Sequence, residues 1–126
     1  MSHFVTVEAH IRDMKALGSA CAELGLELVP DTEARGYGGQ TRRGDYVIRL
    51  RGPYDIALNR QQDGTYGLTT DWWSGHVEKE VGTNYGRLLQ LYAVHKAQIE
   101  ARKKGLTVRR QALKDGGIKL TIGGVR

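Results

Sequence analysis

The chain reads as an α+β protein: an antiparallel sheet with two helices on one face, in the order β-α-β-β-β-β-α-β-β. Three observations predict this. Segments near residues 46–50, 54–58 and 66–70 alternate apolar and polar positions at period two, as half-buried strands do. Segments near 12–24 and 84–104 repeat apolar residues at helical spacing. Gly52-Pro53 and Asp63-Gly64 then join the alternating segments as tight turns, which makes them an antiparallel meander.

Each element has its own signal. Val5, Val7 and Ala9 share one face of an opening strand. The first helix runs from about Arg12 to Leu24, with Asp13 in its first turn. Met14, Leu17, Cys21 and Leu24 form its buried stripe, and Gly25 stands where a left-handed cap belongs. Cys21 lies on that stripe and reads as a small core residue. Leu26-Glu27-Leu28-Val29 is a brief strand stopped by Pro30, and residues 30–45, with their glycines, read as a long loop. Tyr46, Ile48, Leu50, Tyr54, Ile56, Leu58, Tyr66, Leu68 and Thr70 face the core of the meander. Arg49, Arg51, Asp55 and Asn59 are expected on a wet opposite face. A second loop after Trp72-Trp73 leads to the long helix, with Thr83 as N-cap and Gly105 as its stop. Tyr85, Leu88, Leu89, Tyr92 and Ile99 are its apolar stripe. Strands near 106–113 and 118–122, joined by Asp115-Gly116-Gly117, complete the order.

Composition limits what such a fold is for. A length of 126 residues suits a single domain with a real core, at 40% hydrophobic and 26% charged residues. The start has no basic region followed by an apolar one, and no apolar run is long enough for a bilayer. A cytoplasmic protein with no membrane partner is expected. One cysteine excludes an internal disulfide or a cysteine-rich metal site within one chain. The net charge of +5 is uneven. Residues 1–86 hold nine Lys/Arg against twelve Asp/Glu, and residues 87–126 hold ten against two. That basic third would meet nucleic acid or an acidic partner, or it simply keeps a helix end and a hairpin dissolved. If it binds nucleic acid, Arg102, Lys103, Lys104, Arg109 and Arg110 should converge.

Candidate functional residues cluster in three places. Arg35-Gly36-Tyr37-Gly38-Gly39-Gln40-Thr41-Arg42-Arg43-Gly44 lacks the following helix of a phosphate loop. Arg35, Tyr37, Arg42 and Arg43 would still grip phosphates and stack a base, unless this is only a polar surface loop. In Asp71-Trp72-Trp73, neighbouring side chains of an extended chain oppose each other. One tryptophan should enter the core, and the other, Trp73 among the candidates, covers the sheet edge or recognises a partner. The histidines His3, His10, His76 and His95 have no helical metal-site spacing. His3 and His95 would meet Asp71 as acid, base or metal ligands, or be plain hydrogen-bonded histidines. No catalytic residue, metal ligand set or cofactor motif is assigned.

Taken together, the start MSHF, Ile11-Arg12-Asp13, Arg35-Gly36-Tyr37, Gly39-Gln40, Tyr54-Asp55-Ile56, Asp71-Trp72-Trp73 and Tyr92-Ala93-Val94-His95-Lys96 carry a resemblance. The chain resembles the hypothetical chloroplast reading frame 35 family, a domain of unknown function shared by plastid genomes, cyanobacteria and other bacteria. The resemblance implies no catalytic residues. It implies a small accessory protein, a companion of AAA-type ATPases, in the cytoplasm or, if plastid-encoded, in the stroma. The element order also matches the repeat of the TATA-binding-protein-like fold and, loosely, helix-grip folds, an analogy of shape alone. The leading expectation is therefore a non-catalytic binding or adaptor protein with a protein partner. The alternatives are a weak nucleic-acid-binding module and an enzyme or metal protein centred on histidines. The oligomeric state is left open.

Overall fold

The structure is a computed structural model that describes residues 4–125, so His3 lies outside the described residues. Five strands, β1 (Phe4–Ile11), β2 (Glu27–Arg35), β3 (Thr41–Arg49), β4 (Ile56–Arg60) and β5 (Tyr66–Asp71), form an antiparallel sheet in the order β1-β5-β4-β3-β2. Helix α1 (Met14–Glu23) joins β1 to β2. Helices α2 (His76–Val81) and α3 (Gly86–Lys103) follow β5, and a separate two-stranded hairpin, β6 (Leu106–Ala112) and β7 (Ile118–Val125), comes last. The fold class and the order of strands and long helices are those the sequence predicts.

Register explains the core. Ile48 pairs with Ile56 and Ile56 with Thr70; Tyr46 pairs with Leu58 and Leu58 with Leu68. These rows put the apolar half of each alternating segment on one face. Leu17, Ala20 and Cys21 of α1, Val77 and Val81 of α2, and Leu88, Leu91 and Tyr92 of α3 pack against that face. Cys21 is sealed in this layer, and burial pushes its thiol up to about 12. It is a core residue, as expected.

The helix ends are anchored by specific groups. Asp13 is the N-cap of α1, one position outside the helix, and its carboxylate accepts from the Lys15 and Ala16 amides. The Tyr92 hydroxyl accepts from the Arg12 and Asp13 amides, which ties the start of α1 to α3. Gly25 ends α1 with φ 73°, and Gly105 ends α3 with φ 72°. Thr83 does not cap α3. Its hydroxyl donates to Glu78, and the chain enters the helix through Asn84 and Tyr85 in left-handed conformations at φ 53° and 64°.

Several expectations are corrected. Residues 30–45 are not a long loop. β2 continues through Pro30 to Arg35 and β3 begins at Thr41, leaving a short turn at Tyr37–Gly39. Pro30 is tolerated because β2 is an edge strand, where a missing amide donor costs no central ladder bond. The segment after Trp73 is not all loop either, because it holds α2. Val77 and Val81, four residues apart, bury one side of that short helix. On it, Glu80 accepts from the Arg51 and Gly52 amides and fastens the β3–β4 turn. Val5 and Val7 do face the helix side, opposite Thr70 and Leu68, but α3 leaves them 50% and 43% exposed. Finally, the face away from the helices is not uniformly wet. Asp55 is fully buried there, because the distal half of the β2–β3 hairpin folds over it.

That arm bends where Asp31 takes φ 50° and where Gly44 stands opposite Thr32. A Cβ on Gly44 would lie 2.4 Å from the Tyr46 carbonyl oxygen, so only glycine fits the bend. Beyond it, Ala34 packs on Val47 and Ala57 to form a second, small core on the outer face.

Candidate functional site

Two buried carboxylates hold the arm down. Asp55, at the entry to β4, accepts from the Arg35 amide (3.0 Å) and from Arg35 Nε and Nη2 (both 2.8 Å). It also accepts from Arg49 Nη1 (2.9 Å) and the Leu50 amide (3.1 Å), while its own amide donates to the Arg35 carbonyl. Burial alone would raise its pKa. The hydrogen bonds from Arg35, Leu50 and Arg49 outweigh that and hold the carboxyl below its ordinary value. Arg35 also donates to the Leu50 and Gly52 carbonyls, so this candidate binding residue works as a staple. Arg49 reaches the Glu33 carbonyl and the Thr32 hydroxyl and does the same for the arm's near half.

The second carboxylate, Asp71, ends β5 and is also fully buried. It accepts from the Tyr37 amide at the tip of the arm and from the Trp73 amide, both at 2.9 Å. One acceptor thus fixes two backbones that are far apart in sequence. The Tyr37 and Trp73 rings meet edge to face, with centroids 5.6 Å apart, and remain 37% and 48% exposed. Trp72 turns the other way, onto the core, with its ring 4.8 Å from that of Tyr85. The opposition expected of the tryptophan pair is what the structure holds. Below the turn, Tyr54 meets His76 edge to face at 5.2 Å. Burial, then the Asp71 charge, raises the Tyr54 pKa. The turn itself is strained, with Ser74 at φ 60°.

The arm's arginines lie beside this pair. Arg42 rests over the Phe4 ring, 5.1 Å from its centroid, and a Cβ on Gly36 would strike the same ring at 2.3 Å. Arg43 pairs with Asp31. Between the arm and the sheet lies a cleft of about 240 Å³ that Arg42, Arg43 and Arg60 border. Tyr37, Trp73 and Arg42 are therefore gathered at one end of the sheet.

The remaining candidates go elsewhere. His95 Nε2 lies 2.8 Å from Glu23, and Arg110 grips the same carboxylate with both nitrogens, at 2.9 and 2.6 Å. Arg110, then His95, lower the Glu23 pKa to about 2. His95 pairs with Glu23 while Asp71 accepts from the Tyr37 and Trp73 amides, so His95 does not meet Asp71 as expected, and the His3 half of that expectation lies outside the described residues. Arg109 neighbours Arg110 on β6 and therefore points to the opposite, exposed side. Of the basic residues of the last third, Arg110 turns in to Glu23 and Lys103 pairs with Glu100. Among the described residues, no group of three or more His, Cys, Asp or Glu could hold a metal ion. No helix among them is long and apolar enough to cross a membrane.

Sequence reasoning missed Asp55, Phe4 and Arg60. Asp55 and Arg60 frame the alternating segment of β4, but nothing local says that an arm from twenty residues away will cover one and border the other. Two motifs distant in the sequence, Arg35-Gly36-Tyr37 and Asp71-Trp72-Trp73, do meet in the fold. No curated protein and no solved structure matches the chain. A family model does, over residues 20–121, which span the arm, both buried carboxylates and the Tyr37–Trp73 pair. The chain belongs to the family described as "Protein of unknown function (DUF1257)".

Proposed function

We propose that the protein is a non-catalytic binding or adaptor module whose partner is a protein. The observation that carries this reading is the Asp71 staple. A buried carboxylate is spent on holding two amides so that the Tyr37 and Trp73 rings stand together at the surface. Aromatic side chains on a fixed backbone are what protein interfaces use as anchors, because they offer large area and lose little freedom on binding. The carboxylate itself is occupied by backbone donors, which suits support better than proton transfer.

The finer reading rests on the resemblance to the reading frame 35 family. The partner is an AAA-type ATPase, and the compartment is the cytoplasm or, for a plastid-encoded member, the stroma. The test is direct binding of the purified chain to the AAA-type ATPase of the same genome, read by calorimetry. Tyr37→Ala and Trp73→Ala should each weaken the complex at least about tenfold, the usual cost of losing an interface anchor, while the melting temperature stays close to that of the parent. A complex of undiminished affinity in both variants would sink the surface assignment. Absence of any complex would sink the ATPase as partner. Turnover of a nucleotide, ester or phosphate substrate that His95→Ala abolishes would replace the module with an enzyme.

A further inference from the structure

The cleft between the arm and the outer face of the sheet adjoins the aromatic pair at Arg42, but neither Tyr37 nor Trp73 lines it. Its walls are Arg42 and Arg43 on the arm and Arg60 at the end of β4, and its floor is Thr6, Gly67 and Thr69. Gln61 also lines the cleft and lies over Gly67, where a Cβ would come within 3.0 Å of its amide nitrogen, and the two threonines face each other with hydroxyls 2.7 Å apart. Only one of the two protons can lie in that shared bond, so the other hydroxyl has a proton for a guest. Arg42 lies over the Phe4 ring, which immobilises the guanidinium and leaves its N–H edge to donate. Asn59 is committed to the scaffold: it donates to the Arg43 carbonyl and accepts from the Asp45 amide. The carboxylates around it are Asp31, which pairs with Arg43, Asp45, which accepts from the Arg60 amide, Glu8, opposite Gly67, and Glu33, opposite Arg43. Three arginines line the cleft, and none of its lining residues carries a carboxylate.

We propose that this cleft binds the phosphate group of a phosphate ester. A carboxylate is satisfied by one arginine fork. A phosphate offers acceptor oxygens in several directions, which matches guanidinium donors arriving from the arm and from β4 above a hydroxyl floor. The site goes beyond the protein-binding surface, and its failure is separable from failure there: Trp73→Ala reports on one and arginine variants on the other.

The experiment titrates the full chain with three probes: inorganic phosphate, AMP and a labelled oligothymidylate, at low and at physiological salt. The double variant Arg42→Gln/Arg43→Gln should weaken AMP or oligothymidylate at least about tenfold, as loss of charge-assisted bonds requires. Lys119→Gln, on the terminal hairpin, should leave both unchanged. Binding of AMP as tightly as oligothymidylate identifies a small phosphate ester as the guest. Binding of the oligonucleotide alone identifies a strand backbone, and its salt slope should then fall by about one for each phosphate contact removed. If the double variant melts early because Phe4 is unseated, Arg60→Gln, on the opposite wall, carries the test. No binding of any phosphate probe overturns the proposal. So does equal, arginine-dependent binding of oligoglutamate, or affinity untouched by Arg60→Gln and the double variant.

Discussion

The arm over the sheet and the terminal β6–β7 hairpin are both two-stranded and both carry arginines that pair with carboxylates, yet they are held by different means. The arm is fastened by carboxylates with no solvent exposure, Asp55 and Asp71, whose lone pairs are taken up by backbone and guanidinium donors. The hairpin is fastened by Ile118, which packs on the main core, and by Glu23, which is 33% exposed and pairs with Arg110 at the surface of α1. A buried ion pair leaves an uncompensated charge when one member is removed, and water repairs the loss of an exposed one. Arginine count therefore says little about either region. What sets their rigidity is where the acceptor sits, and a rigid arm is what can present Tyr37 and Arg42 in fixed positions.

The largest expected effect breaks the arm. Asp55→Ala leaves Arg35 and Arg49 facing each other across a void and strips the Leu50 amide of its acceptor. Arg35 and Arg49 are 48% and 33% exposed and water can reach them, so the loss should be on the order of 2–4 kcal/mol, mainly from the Arg35 and Leu50 amides left without an acceptor. Urea denaturation measures it. A loss below about 1 kcal/mol would mean that Asp55 is solvated in solution and that the arm stands away from the sheet.

A smaller effect sharpens the same region. Gly44→Ala places a methyl group against the Tyr46 carbonyl and should cost about 1–3 kcal/mol, as overpacking does. Its particular mark is local. The Arg35 and Tyr37 amides, whose acceptors are Asp55 and Asp71, should exchange with solvent faster, while amides of α3 keep their protection. Uniform loss of protection would make Gly44 a general core position and not a bend.

The contrast also explains what the sequence could show. β3, β4 and β5 were legible where one face packs on the helices, because alternation records burial of that face directly. The arm was not, since Thr32–Arg35 and Thr41–Gly44 contribute one apolar side chain, Ala34, to the outer face and carry no apolar period. Glycine there marks a bend and a tip, not a loop between elements. The burial of Asp55 depends on Arg35 folding back across the sheet, a contact that no period-two pattern contains. The aromatic site was half legible: the opposed tryptophans followed from strand geometry, but their meeting with Tyr37 required knowing where the arm lands.

On the hairpin side, Glu23→Gln should cost less than about 1 kcal/mol near pH 7, since the carboxylate is partly solvated. Its pH dependence identifies it. In the folded protein Glu23 titrates near 2 against an ordinary 4.5, so the unfolded chain takes up this proton first. The stability Glu23 adds is complete above pH 4.5 and is lost as pH falls toward about 2. The difference in stability between parent and Glu23→Gln should shrink across that window, as acid titrations of urea midpoints would record. A difference that stays constant from pH 6 to the acid limit would remove the carboxylate from the hairpin's attachment.

The smallest expected effect separates two adjacent arginines. Arg110 and Arg109 are neighbours on β6, but the strand turns one toward Glu23 and the other to solvent. Arg110→Ala should cost about 0.2–1 kcal/mol, the range for an exposed pair. Arg109→Ala, with nothing to lose on its side, should stay within about 0.5 kcal/mol of the parent. Salt sharpens the distinction. Raising ionic strength weakens the Arg110–Glu23 pair, so the gap between the two variants should narrow. Equal losses from Arg109→Ala and Arg110→Ala, or a gap indifferent to salt, would mean that the outer side of the hairpin is packed against something and that β6 is held as firmly as the arm.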